Sequence, residues 1–583
     1  MNQSSRPPES GAPPAQPRLV DIALRYLKRE GIRHVFGVPG GLLHSFFDAV
    51  ETDPDLALIV ARHECGAAFM ADGYARVSGR VAVAAATSGP GATNLLTGVA
   101  VAFADGVPML VITGQAPSHA FGRGAAQETA REDIDSVGMF ASVTRYSAMV
   151  TSPDQFGHHF RRAMRRMRAG RPGPVHLNVP CDLWTQPAAD EAWPAPSSYA
   201  PRSCAFDRER VAEAVERLRA ARCPLLLVGS GVSTAPARDS VRRLAEMLRA
   251  RVATTPRAKG VFSEHHPLSL GVLGFAGHDA ARGAMLGDEA DLLFAIGASL
   301  NETTTLNWNR DLLRGRALIH LDVDPDRVGR NYPVDVPLVG DAEATLSAIL
   351  DGLVAAGVDR AREGSTAHGA RSREAASASS EPPTAARGLH PAAWREELNR
   401  ALPADAVIFS DIGGHMLFNV HHLRVSDRQR FVLNLGFGSM GHGTAAPVGA
   451  ALSEPRRPVI AIIGDACFTM NGMEALTARE YDVPVVWIVE SNQMHGITWH
   501  GSRLVNGGRP MESIVNKRPI DVEAIARAMG LATWSARRPG DLSRALAEAL
   551  EARRPALIEV HVDPAVCPPL GDRAKTVAGF RDR

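Results

Sequence analysis

The strongest constraint on the fold is a unit that recurs along the chain. A short aliphatic, β-branched run is followed by a glycine turn and then by a stretch with helical spacing. Residues 81–86, 109–113, 224–228, 291–297, 317–323, 407–410, 459–463, 485–489 and 557–562 are such runs. Runs this short and this apolar, alternating with helices, belong to parallel strands covered on both faces. The predicted fold class is α/β, with three doubly wound parallel-sheet domains over residues 19–184, 207–358 and 389–565. Residues 186–206, rich in Pro, Ala and Ser, and residues 361–387, with no apolar periodicity, read as linkers. Residues 1–18 and 566–583 read as tails. At 583 residues the chain is too long for one core.

Charge and cysteine content exclude several classes. Lys and Arg total 64 against 63 Asp and Glu, so no net field recruits nucleic acid or an anionic membrane. The six cysteines include no C-x-x-C pair, which argues against a zinc ribbon or a disulfide framework and for a reducing compartment. Residues 1–18 are polar and Pro-rich, without the apolar centre of a signal peptide. No apolar run approaches the roughly 20 residues that a membrane span needs. A cytoplasmic protein is expected.

In doubly wound sheets, ligands sit at the carboxyl ends of strands, where loops lead into helices. The run at 459–463 ends in Gly464-Asp465-Ala466-Cys467-Phe468, ahead of a helix expected at 471–481. The run at 485–489 ends in Glu490-Ser491-Asn492. Adjacent parallel strands would bring Asp465 and Asn492 to one edge. A carboxylate and an amide oxygen suit Mg²⁺, which takes few protein ligands and completes its shell with phosphate and water. The N–H groups of Ala466 and Cys467 could hold a diphosphate. A Gly-Asp pair after a strand can equally be a turn plus a helix cap.

This segment resembles the G-D…N-N motif of thiamin diphosphate enzymes, with Ser491 in place of the first Asn. The resemblance implies that Asp465, Asn492 and the Met494 carbonyl ligate Mg²⁺. Further segments match in order. Ala61-Arg62-His63-Glu64, which begins a helix running through Gly73-Tyr74-Ala75-Arg76, resembles the context of the family's essential glutamate. Glu64 would hydrogen-bond the cofactor's aminopyrimidine and drive it to the imino form, a task suited to a carboxyl of raised pKa. Phe36-Gly37-Val38-Pro39-Gly40-Gly41 resembles the loop beside the thiazolium. Thr87-Ser88-Gly89-Pro90-Gly91-Ala92-Thr93-Asn94 resembles the stretch around the pyrimidine. Ile112-Thr113-Gly114-Gln115, with Gln127-Glu128 downstream, points to the acetolactate synthase branch. Asp411-Ile412-Gly413-Gly414-His415 falls at that branch's diphosphate loop, so Gly413 and His415 join Gly464, Asp465, Ala466 and Cys467 as cofactor contacts. Gly438-Ser439-Met440-Gly441 resembles the segment whose Met bends the cofactor.

The resemblance covers residues 19–564. It implies decarboxylation of a 2-oxo acid, pyruvate first, with transfer of the acyl-anion equivalent to a second carbonyl. Glu64, Gln127 and Gly41 would serve the reaction. Substrates are small molecules, and the assembly is a homodimer or homotetramer in which one chain's Glu64 domain completes another's diphosphate domain. A non-ligating decarboxylase and a non-catalytic paralogue are the alternatives.

Several positions depart from the branch pattern. Ala126, Gly414 and Gly501 stand where it has Phe, Gln and Trp. Pro180-Cys181 replaces a Lys. His442 stands at a Phe position and could exchange a proton with an acceptor substrate, or could be a packing residue. These changes suggest a bulkier acceptor. The branch also binds FAD in the central domain. Leu273-Gly274-Phe275 and Ile319-His320-Leu321-Asp322 sit in equivalent places, but Ala298-Ser299-Leu300 lacks the usual Arg, which leaves the flavin open.

Overall fold

The computed structural model describes residues 16–131, 134–189, 194–200, 205–232, 234–358 and 387–571. Residues 1–15 and 572–583 of the expected tails, and 361–386 of the expected linker, lie outside them.

The first sheet contains β1 (His34–Val38), β2 (Ala57–Val60), β3 (Ala82–Ala86), β4 (Met109–Gln115), β5 (Ser147–Met149) and β6 (Val175–Pro180), ordered β2-β1-β3-β4-β6-β5. The central sheet contains β7 (Pro224–Val228), β8 (Arg251–Thr254), β9 (Ser269–Val272), β10 (Leu292–Ile296), β11 (Ala317–Asp322) and β12 (Val336–Val339), ordered β12-β11-β10-β7-β8-β9. The third contains β13 (Val407–Ser410), β14 (Arg430–Leu433), β15 (Val459–Gly464), β16 (Val485–Ser491), β17 (Ala532–Ala536) and β18 (Ala556–His561), ordered β14-β13-β15-β16-β18-β17. Strand pairing is parallel throughout, as between β15 and β16 and between β3 and β4. β4 and β16 are buried at every residue, which is why they read as continuous apolar runs. Among the described residues no helix is long and apolar enough to cross a membrane.

Two helix starts differ from the sequence expectation. The helix expected from Ala61 begins at Glu64, because the His63 side chain caps it by accepting from the Cys65 N–H. The helix expected at 471–481 is two helices, Asp465–Asn471 and Glu474–Glu480. The first begins directly at the end of β15, with Asp465 in its first turn, where a carboxylate meets the positive end of the helix dipole.

The first and third domains meet through helices Glu64–Ser78 and His442–Ser453. Glycines permit the close crossing. A Cβ on Gly73 would lie 2.0 Å from the Ala446 carbonyl oxygen, and one on Gly449 would lie 1.9 Å from that of Met70. Backbone cannot yield as a side-chain tip can. Gly73→Ala is therefore expected to destabilise the chain by about 1–3 kcal/mol through overpacking. Wild-type thermal unfolding of that variant would contradict the approach.

Beside the crossing, buried charges tie three domains together. Asp72 accepts from Arg76 Nε at 2.5 Å and from His442 Nε2 at 2.7 Å. Arg76 also donates to Asp105 at 2.8 Å, and Arg257 of the central domain pairs with Asp105 at 3.1 Å. Burial opposes the charge on Asp72, yet Arg76 and His442 hold its carboxyl below the usual carboxylate range.

Candidate functional site

The carboxyl edge of the first sheet gathers the residues expected around a pyrimidine. Glu64 opens the helix after β2, and Asn94, in helix Pro90–Asp105, donates from Nδ2 to its Oε2 at 2.9 Å. That bond fixes one carboxylate oxygen. The other faces Gly91, where a Cβ would come within 3.5 Å of it. A Cβ on Gly41 would meet nothing within 4 Å, so the loop after β1 borders open space.

Gln127 is brought to the same edge. Its carbonyl accepts from Ser88 Oγ at 2.8 Å, and its Cβ lies 3.3 Å from where a Gly89 side chain would begin. Its φ is +60°, in the left-handed region that costs a non-glycine residue on the order of 1–3 kcal/mol. The surroundings enforce this conformation. Gln115 donates from Nε2 to Thr129 Oγ1 and accepts the Thr129 N–H, while Glu128 accepts from the N–H groups of Gly122 and Ala125. Gln115 is thus a buried buttress for the Gln127 loop rather than a residue lining open space.

The carboxyl edge of the third sheet gathers the other expected residues. Asp465 is buried and accepts from the backbone N–H groups of Ala466 at 2.8 Å and Gln493 at 2.6 Å. Burial pushes its carboxyl up to about 6, and nearby Glu490 adds to the rise, against the opposing pull of those N–H groups. Asn492 and Met494 follow on the facing loop, where Asn492 Oδ1 accepts the Met494 N–H at 3.1 Å. Among the described residues no three His, Cys, Asp or Glu side chains cluster as a metal cage. A cation here would rest on one carboxylate plus amide and carbonyl oxygens, a donor set that suits Mg²⁺.

His415 is buried against Gly413 and Gly464. Side chains added at those glycines would start 2.6 Å and 3.0 Å from its ring. Its Nε2 is buried with no hydrogen-bond partner, and burial together with the Arg395 charge pushes its pKa down to about 3. A buried orphan nitrogen on a ring packed against Gly464, at the end of β15, fits a diphosphate oxygen when the ring carries its proton there. Asp411 lies alongside, accepting from the Gly441 N–H at 2.9 Å, and burial raises its carboxyl to about 6. Met440 is half-buried against the apolar core around the helix crossing.

His442 lies elsewhere. It is buried at the helix crossing, its Nε2 held by Asp72 and its ring between Phe69 and Phe409. It occupies a packing position between the first and third domains. Among the described residues, no hydrogen bond joins the Glu64–Asn94–Gln127 cluster to the Asp465–Asn492 cluster of the same chain.

Sequence reasoning missed two supports. Arg395, fully buried, pairs with Glu490 at 2.7 Å and donates to the His415 carbonyl at 3.0 Å, tying the end of β16 to the His415 helix. Its signal was legible, since Glu490 interrupts an otherwise apolar strand. The second, Glu474, had no local signal.

In the central domain, Ser299 accepts from the Arg327 guanidinium, which supplies a cation at the position of the missing Arg. The glycine turns are filled from within. A Cβ on Gly229 would lie 2.1 Å from the Gly297 carbonyl oxygen, and one on Gly274 would lie 2.1 Å from that of Thr303. These close contacts account for glycine at both positions.

Comparison with known proteins shows the family. Three family models match: the thiamine pyrophosphate enzyme N-terminal TPP binding domain over residues 17–137, the central domain over 211–349 and the C-terminal TPP binding domain over 411–560. The chain is 33% identical to the probable acetolactate synthase large subunit of Methanocaldococcus jannaschii, over 94% of this chain and 93% of that one. It is 34% identical to the acetolactate synthase large subunit of Parasynechococcus marenigrum, over 92% and 86%. An X-ray structure of a protein assigned as a thiamin diphosphate-dependent enzyme, from Mycobacterium smegmatis, superposes with a TM-score of 0.78 at 25% identity, covering 94% of this chain and all of the other.

Proposed function

Because the chain belongs to the thiamine pyrophosphate enzymes, in the branch of the acetolactate synthase large subunits, we propose that this carboligase takes pyruvate or a similar small 2-oxo acid as donor and a bulkier carbonyl compound as acceptor. It is a thiamin diphosphate-dependent enzyme. When bound, that cofactor supplies the electron sink that lets a 2-oxo acid lose CO₂ and its acyl unit attack a carbonyl.

The observation that carries the site assignment is the pair of half-sites. One presents Glu64, fixed by Asn94; the other presents buried Asp465 beside the orphan His415 nitrogen. Glu64 holds or releases a proton at the carboxylate oxygen that faces the pyrimidine. Gln127 and Gly41 line the reacting side. His415 Nε2, with the loop of Gly413 and the N–H groups at Gly464, Ala466 and Cys467, orients the diphosphate. Asp465, Asn492 and the Met494 carbonyl would hold Mg²⁺, and Met440 would shape the bound cofactor. His442 keeps the two domains in register. A homodimer or larger homo-oligomer, in which each chain completes its neighbour's site, belongs to this reading. The bulkier acceptor rests on Ala126 and on Gly501, where a side chain would meet nothing within 4 Å.

The test is product analysis by mass spectrometry, with purified enzyme, thiamin diphosphate, Mg²⁺ and pyruvate, following CO₂ in parallel. Slow CO₂ release that quickens when an aldehyde or larger ketone is added, with a ligated product, is expected. Acetolactate as the single product at an undiminished rate would exclude a specialised acceptor.

Cofactor loading is expected to depend on pH through Asp465. Only the ionised carboxylate can ligate Mg²⁺. With its pKa near 6, loading of the cofactor-free chain weakens below about pH 6, by up to roughly tenfold per unit. Stability of the empty chain follows the opposite sign. Between about pH 4 and 6 the folded state keeps a proton that the unfolded state has released, so this group's contribution to stability is lost as pH rises through 6. Mg²⁺ titrations at pH 5 and 7 that gave equal affinity would refute the assignment.

A further inference from the structure

The helix that carries Glu64 is fastened at its start by a residue of another domain. Glu474 belongs to helix Glu474–Glu480 of the third domain and is 1% exposed. Its Oε1 accepts the His63 N–H at 2.9 Å, and both of its oxygens accept the Arg62 N–H at 3.2 Å. Thr477 Oγ1 donates to Oε2 at 2.8 Å. Further along, the Tyr481 hydroxyl accepts the Val60 N–H at 2.9 Å, and Arg62 pairs with Glu480. The whole run from the end of β2 to Glu64 is therefore strapped to one helix of the third domain. The fit is tight, since a Cβ on Gly66 would lie 2.0 Å from Glu474 Oε1.

We propose that Glu474 is a positioning residue for Glu64, holding the first turn of its helix so that the carboxylate meets the cofactor's pyrimidine at the working distance. The N–H groups around a helix start lack intrahelical partners, and a carboxylate satisfies them with charge-assisted bonds favoured by the helix dipole. Glu64 is the first residue of that helix, so its side chain moves with any loosening of the turn. A displacement of about 1 Å at a reacting group can lower a rate by roughly 10²-fold. The proposal rests on the reading that Glu64 activates the cofactor.

The test uses the holoenzyme and three variants: Glu474→Gln, Glu64→Gln and the double variant. Two quantities are followed, kcat with KM, and the circular-dichroism band of the bound cofactor's imino tautomer. Glu474→Gln is expected to lower kcat by about 10- to 100-fold with KM nearly unchanged, and to weaken the tautomer band. The double variant should be no worse than Glu64→Gln alone, because the two residues act through one carboxylate. Thr477→Val, which removes one donor to Glu474 and conserves volume, guards against misfolding and should cause a smaller loss in the same direction. If Glu64→Gln abolishes the band while Glu474→Gln keeps kcat within twofold, or if the two losses multiply, the positioning role is overturned and the activation reading stands. If Glu64→Gln itself keeps band and rate, the activation reading falls and takes the positioning role with it.

Discussion

Glu64→Gln is expected to lower turnover by about 10²–10⁴-fold, the range that a positioned proton-transfer group contributes. Glutamine has the same length, and its amide oxygen can still accept from Asn94 Nδ2, so the fold and the bond that orients the side chain persist. What is lost is the proton at the oxygen facing Gly91. Because the change is nearly isosteric, thermal unfolding and cofactor affinity should stay close to wild type. A steady-state measurement that found turnover within tenfold of wild type would remove Glu64 from the reaction.

Asp465→Asn is expected to act on binding first. The substituted side chain can keep one acceptor for the N–H groups of Ala466 and Gln493, but it can no longer offer a negative charge to a divalent cation. Changes to groups that merely support metal ligands cost about 10–100-fold in affinity or activity, and a direct ligand should cost at least the upper figure. Calorimetric titration with Mg²⁺ and thiamin diphosphate is therefore expected to show affinity lowered on the order of 10²-fold or more, with partial recovery of turnover at high Mg²⁺. The empty variant should be no less stable than wild type, because Asp465 is a buried carboxylate whose burial disfavours charge. Undiminished affinity would place the cation elsewhere.

The α/β class was legible because parallel strands buried on both faces cannot alternate polar with apolar residues. The run at 485–489 reads as a strand for that reason, and the structure extends it to Ser491. Asp465 and Asn492 were legible as a pair since adjacent strands of one β-α-β unit bring their ends together whatever the rest of the chain does. The helix start at Asp465 was misplaced because Gly464 and Cys467 carry no helix signal of their own. Glu474 and Asp72 were invisible for a different reason. Each looks like an ordinary helix residue, and its partner lies hundreds of positions away, Arg62 and His63 for one and His442 for the other. Local pattern holds no trace of a contact that only domain packing creates. His442 shows the same limit, since its sequence context suggests a titratable group near substrate and the packing gives it to Asp72.

The crossing of helices Glu64–Ser78 and His442–Ser453 joins elements of equal rank. Each follows the second strand of its domain, and the two sheets share one strand order. The contact is reciprocal: Gly73 lies on Ala446, and Gly449 lies on Met70. In a dimer that pattern would be called isologous, each partner offering the same patch to the other. Here both partners are halves of one polypeptide, so the molecule has the anatomy of a duplicated ancestor folded back upon itself. Duplication releases one copy from the duties of the other. After the third strand one half carries Gly89 and the other Asp465, so the two halves put their carboxylates at different places, Glu64 after the second strand of one and Asp465 after the third strand of the other. On this view the division of labour between the halves arose by divergence of one framework, and symmetry explains why an enzyme of this kind needs both.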